Sequence, residues 1–233
     1  MPAYAQEKDA VRPGFSADSL KGQKIVLFRP AVWVGAQSTG GLAEPNADWT
    51  EQARGLMATE LAQQRARFDN EVVPEPDLAG SDATLLSSYR ALFKTVAHSV
   101  VTYQFFKGNR LPTRKNHPFE WTLGDGIRRI AELTGARYGL FVTTDDQYGT
   151  LGRKIFQVLA IGLVGVPVTS GVHTGYAGLI DLQTGELVWL RADEQMGGDV
   201  RNDEGMHKRV GELLKGFPAM KAELAVQAKS QAK

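Results

Sequence analysis

The sequence contains no cysteine, which removes disulfide scaffolds, thiol catalysis, cysteine-ligated zinc and a lipid-bearing N-terminal cysteine in the chain as given. It has no dominant charge either. The 27 Lys+Arg nearly balance the 26 Asp+Glu, and the balance holds locally, with 14 basic and 12 acidic residues before Phe119 and 13 and 14 from there on. No charged module and no long-range field draws in a polyanion, so nucleic acid is not an expected partner. The longest apolar run, Ile155 to Val168, is too short for a spanning helix, which needs about 20 residues. Catalytic signatures are missing too: there is no Gly-x-Ser-x-Gly elbow around Ser87, Ser88 or Ser170. There is no phosphate loop, since Gly35 to Gly41 does not lead straight into a helix. No spacing matches a metal motif, and neither a metal nor a cofactor is expected.

What is present is the composition of an ordinary globular domain, 233 residues long and 42% hydrophobic. Ala3-Tyr4-Ala5 has the small-x-small pattern cut by a signal peptidase. Residues 1–23 are therefore expected to be a signal-peptide remnant and an extended or disordered lead-in, 24–218 a single domain, and 219–233 a flexible tail. Ile25 to Phe28 reads as a buried strand ended by Pro30, and Ala31 to Pro45 as a Gly/Ser/Thr loop. Asp48 to Ala62 has the apolar spacing of an amphipathic helix. Phe68 to Val73 reads as a strand stopped by Pro74, and a long helix follows from Ser81 or Asp82. Val100 to Phe106 suits helix or strand.

A helix from Thr122 ends at Gly135 and leads into a strand, Tyr138 to Thr143. Tyr176 to Leu182 and Glu186 to Trp189 form a hairpin around Gln183-Thr184-Gly185. A polar loop over 192–202 and a short helix containing Val210, Leu213 and Leu214 complete the pattern, closed by Gly216 and Pro218. Strands alternating with helices early and pairing as a hairpin late predict an α/β domain: a mixed sheet flanked by helices, with a C-terminal hairpin and a short terminal helix.

Two regions are candidates for function. The first is the apolar run, in particular Phe156, Leu159, Ile161, Leu163 and Val164, preceded by Arg153 and Lys154. It reads either as a buried helix on the sheet or as an exposed contact surface for a membrane or another subunit. The second is Asp145-Asp146 at a strand end with His173 downstream, a position where α/β proteins often hold ligands. Adjacent carboxylates in a turn more often simply face solvent, as does the acidic cluster Asp193, Glu194, Asp199, Asp203 and Glu204. His98 lies within a helix and reads as a packed or surface histidine, and His117 and His207 show no carboxylate at a recognisable spacing. The basic loop Lys107 to Pro118 reads as an ordinary solvated loop.

The order of elements, and above all YAGLIDLQTGELVW from Tyr176 to Trp189 followed by a polar loop and a helix ending Gly216-Phe217-Pro218, resembles bacterial envelope proteins of the CsgG and LpoB type. The likeness covers Lys24 to Pro218 in architecture and Asp181 to Trp189 in residues. It implies an exported, periplasm-facing, non-enzymatic protein, an adaptor or assembly factor that binds other envelope proteins or itself, with peripheral membrane contact as a further option. It transfers no active site. Members are commonly lipoproteins, and this chain departs from them in having no cysteine. The run 155–168 lies where the curli secretion channel has membrane-inserting hairpins, but it lacks period-2 alternation and is too short for two spanning strands, so no pore is expected.

Overall fold

The computed structural model describes residues 7–110, 112–150 and 171–221. Ala3-Tyr4-Ala5, the apolar run with Phe156, Leu159, Ile161, Leu163 and Val164, and residues 222–233 lie outside them. In chain order the strands are β1 (Glu7–Val11), β2 (Ile25–Leu27), β3 (Ala31–Gln37), β4 (Ala43–Pro45), β5 (Val72–Pro74), β6 (Trp121–Thr122), β7 (Tyr138–Gly149), β8 (Val172–Asp181) and β9 (Glu186–Asp193). The helices are α1 (Ala47–Gln64), α2 (Gly80–Val100), α3 (Arg128–Thr134) and α4 (Asp203–Leu213). Among the described residues all nine strands form one mixed sheet with the path β1-β9-β8-β7-β2-β5, from which β3, β4 and β6 branch. The expected α/β architecture with its C-terminal hairpin and short helix is therefore present.

β7 is the axis of the sheet. Its first half, Tyr138 to Val142, is an apolar run buried on both sides, as suits a central strand. β2 runs parallel to that half and β3 parallel to the second, from Ala31 opposite Thr143 to Gln37 opposite Gly149. β8 pairs antiparallel with almost the whole length. One sheet face is covered by α1 and α4 over Met57, Leu61, Leu140, Trp189, Val210 and Leu213, the other by α2 and α3 over Phe93, Phe141, Ile130 and Leu190.

Three expectations are corrected. Ala31 to Pro45 is a strand pair rather than a loop, because Val32, Trp33 and Val34 favour a pleated buried surface and the turn formers are confined to Ser38–Gly41, where Ser38 N donates to Leu42 O at 2.9 Å. The lead-in is ordered from residue 7: β1 is an edge strand held by backbone pairing to β9, which needs no apolar periodicity. Lys8 secures it by donating to Phe105 O at 2.7 Å. Phe68, expected to open a strand, lies ahead of β5 and instead bridges Met220, so the first residues of the expected tail are docked, with Ala219 buried.

The helix expected from Thr122 begins only at Arg128, because Trp121 and Thr122 pair with β9 as β6; the other elements lie near their expected places. α2 continues as a π-helical turn over Val101–Phe105, which resolves the helix-or-strand ambiguity there in favour of helix. α3 ends on Gly135 at φ 63, whose N–H donates to Ala131 O. In the 181–185 turn Gly185 sits at φ 76 against the backbone of Gly124, a close approach that excludes any side chain. Among the described residues no helix is long and apolar enough to cross a membrane.

Candidate functional site

Side chains on a strand alternate between faces, and that rule separates the acidic pair. Thr144 and Asp146 point to the α1/α4 side of β7, Thr143 and Asp145 to the α2 side. Asp145 pairs there with Lys94 of α2 at 2.7 Å. Asp146 and His173 do come together, as neighbours in the β7–β8 register. The expected three-residue cluster is thus a pair, with Asp145 on the opposite face.

The pair is completed by Arg209 of α4, which sequence reasoning missed. Asp146 and Arg209 are both fully buried, their side chains 0% exposed. Arg209 Nη2 donates to Asp146 Oδ1 at 2.8 Å and Nη1 to Oδ2 at 3.0 Å, a bidentate fork. Nη1 also donates to Thr144 Oγ1 at 2.8 Å, Nη2 to Gly198 O at 3.0 Å and Nε to Gly197 O at 3.1 Å. All five guanidinium hydrogens are used.

The carboxylate is engaged as well. Thr144 Oγ1 lies 2.7 Å from Oδ2, and His173 Nδ1 lies 2.8 Å from Oδ1. A carboxylate offers only acceptors, so Nδ1 carries the hydrogen. Oδ1 accepts from Arg209 and His173, and Oδ2 from Arg209, while the single hydroxyl hydrogen of Thr144 has both Oδ2 and Thr174 O, at 3.0 Å, within reach. The arrangement ties α4, β7, β8 and the loop at Gly197-Gly198 together at one end of the sheet. A signal for Arg209 exists in the sequence: it lies beside Val210 on the stripe Met206, Val210 and Leu213, and a cation there demands a buried acceptor.

Next to this network His173 packs on Tyr148, with ring centroids 4.9 Å apart, and Tyr148 OH accepts from Val200 N at 3.0 Å. Burial pushes the Tyr148 hydroxyl up from its ordinary pKa. The Arg201 guanidinium lies 3.7 Å from the Tyr148 ring centroid and 4.6 Å from that of Trp49. Arg201 also donates Nε at 2.9 Å and Nη2 at 2.6 Å to Asp199, which holds that carboxyl down at about 2. Stability contributed by this pair is complete above the unfolded value of 3.8 and is lost as pH falls through about 2. Asp199→Asn should therefore flatten the fall in stability between those two values, as read by urea titrations across that range.

The other candidates stay local. His207 Nδ1 lies 3.0 Å from Glu60 Oε1 of α1, a carboxylate partner that no sequence spacing revealed because 147 positions separate them. His98 is exposed on α2. Arg110 donates to Gln104 O and Lys115 O, so the basic loop is partly tied to itself. Among the described residues no group of three His, Cys, Asp or Glu is placed to hold a metal ion. The acidic cluster over 193–204 therefore gains no ligand geometry.

No protein-family model matches the chain, and no curated protein matches it. Among solved structures it is similar to two forms of the PelC dodecamer from Paraburkholderia phytofirmans. They share 15% and 14% identity with it, at TM-scores of 0.42 and 0.40, over 92% and 91% of this chain and 98% and 97% of theirs. It is also similar to a lipoprotein from Neisseria meningitidis at 13% identity and a TM-score of 0.33, over 91% of this chain and 99% of that one.

Proposed function

We propose that this is an exported bacterial envelope protein that acts without catalysis, as an adaptor or assembly factor, through contacts made by the apolar stretch Phe156, Leu159, Ile161, Leu163 and Val164. The placement of its flanks carries this reading: Gln147 pairs with Val172, so the chain leaves β7 and returns into β8 at the same end of the ladder. A run of 20 residues, 151–170, is inserted there, beyond the Asp146–Arg209 network. The helices α1, α4, α2 and α3 supply apolar cover to both faces of the sheet. An apolar sequence between flanks that leave and re-enter the sheet at one end suits contact with a second copy, another envelope protein or a lipid surface. The commitment of the buried Asp146 to Arg209, and the position of Asp145 on the opposite sheet face, favour this over an enzyme working through Asp145, Asp146 and His173.

The test is the double substitution Leu159→Asp and Leu163→Asp in the full chain. Sedimentation velocity would read self-association, and flotation with phosphatidylethanolamine/phosphatidylglycerol vesicles would read lipid contact. The expected result is loss of the wild-type association with an unchanged melting temperature. A variant that fails to fold places these leucines in the core and overturns the contact surface. Fractionation of the native cells checks export separately: recovery in the cytosol sinks the envelope assignment.

A further inference from the structure

The sheet changes hands between β2 and β5. These neighbours run parallel, yet the chain from β2 goes on, by way of β3 and β4, to α1 on one face, whereas β5 leads to α2 on the other. In open α/β sheets the divergence of two such connections leaves a crevice beyond the carboxyl ends of the strands, the usual place for a ligand. A cleft of about 410 Å³ lies there, within the range of small-molecule sites. Arg29 and Pro30 follow β2, Glu75 follows β5, Arg54 comes from α1, and Arg90 and Lys94 come from successive turns of α2.

Its lining carries four cations, Arg29, Arg54, Arg90 and Lys94, against two carboxylates, Glu75 and Asp145. The pairings are unequal. The Glu75 side chain is only 5% exposed and holds both Arg90 and Arg29 from beneath, the latter also through Arg29 N at 2.9 Å. It acts as an orienting group for two guanidinium heads. The outer partners, Asp77 on Arg29 and Glu51 on Arg54, are 92% and 75% exposed. Surface pairs of that kind contribute about 0–1 kcal/mol, so an incoming anion displaces them at little cost. Arg90 Nε is buried and has no acceptor among the described residues. Pro30, Val32 and Trp33 supply apolar wall.

We propose that this crevice binds a small oligo-anion bearing phosphate or carboxylate groups, held by Arg29, Arg54 and Lys94 while Glu75 fixes the guanidinium geometry. Arginine forks match both groups bidentately. The site shares no residue with the apolar stretch proposed above as a contact surface, and it stands if that reading fails.

Isothermal titration with pyrophosphate and, separately, citrate at low salt tests it, and the preferred probe distinguishes the two chemistries. At least one probe should bind saturably at one site per chain. The double variant Arg29→Ala, Arg54→Ala removes two exposed side chains and should keep its melting temperature while weakening binding at least about tenfold, a loss of about 1.4 kcal/mol. Asp145→Asn, which takes a negative charge from the lining and frees Lys94, should tighten it about threefold. Absence of saturable binding for both probes, or binding unchanged in the double variant, overturns the assignment.

Discussion

Replacing Asp146 by alanine is expected to destabilise the protein by about 3–5 kcal/mol, because it strands the buried guanidinium of Arg209 without its counter-charge. For a domain whose whole stability is about 5–15 kcal/mol, that leaves little reserve. Two of the five Arg209 hydrogens would lose their acceptor outright, and so would His173 Nδ1, whereas Thr144 Oγ1 keeps Thr174 O at 3.0 Å. The damage should be specific to the pair. In the double variant Asp146→Ala, Arg209→Ala no uncompensated charge remains, so its loss should fall short of the sum of the two single losses by at least about 1 kcal/mol. Urea denaturation of the four species measures this cycle. A single-variant loss below about 1 kcal/mol, or strict additivity, would show that water reaches the network and that its burial is not what holds the sheet end together. Asp145→Ala is the internal control: its partner Lys94 is 48% exposed, so the change should stay within about 0.5 kcal/mol.

The contrast between these adjacent residues shows where legibility ended. Periodicity revealed α1 and α2 because each buries one face and its spacing repeats, and the β8–β9 hairpin showed as two apolar runs, buried on both faces, around the Gln183-Thr184-Gly185 turn. β3 was hidden, since Gly35, Ser38, Gly40 and Gly41 made the segment read as a loop although only five of its positions, 38–42, lie between β3 and β4. β1 was hidden for a different reason: an edge strand is stabilised by backbone pairing, to which side-chain pattern is silent. At the candidate site, Asp146 and His173 were legible as strand-end polar residues. Their partner Arg209 and the split of Asp145 from Asp146 were not, because both depend on long-range register. The cation crevice is more remote still, as Arg29, Arg54, Arg90 and Lys94 meet only once α1 and α2 lie on opposite faces.

Trp189 supplies the other large effect. It is fully buried on the α1/α4 side of β9, with its ring centroid 5.2 Å from that of Phe217, which in turn lies 5.0 Å from Phe68. This chain of rings fastens the end of the domain to the sheet, so Trp189→Ala should cost about 3–5 kcal/mol. Trp189→Phe separates packing from hydrogen bonding. Indole Nε1 is buried with no acceptor among the described residues, and removing an unsatisfied donor returns about 1–3 kcal/mol against the volume lost. The net cost for phenylalanine should therefore stay under about 1.5 kcal/mol. Urea titrations followed by far-ultraviolet circular dichroism decide it, and a phenylalanine variant as damaged as the alanine one would mean that the N–H is not an orphan. The outcome also bears on the resemblance drawn from the hairpin. A tryptophan held only by packing marks a core position, and its presence after the Thr184-Gly185-Glu186 turn then reflects how this sheet packs against α1 and α4 rather than any surface offered to a partner.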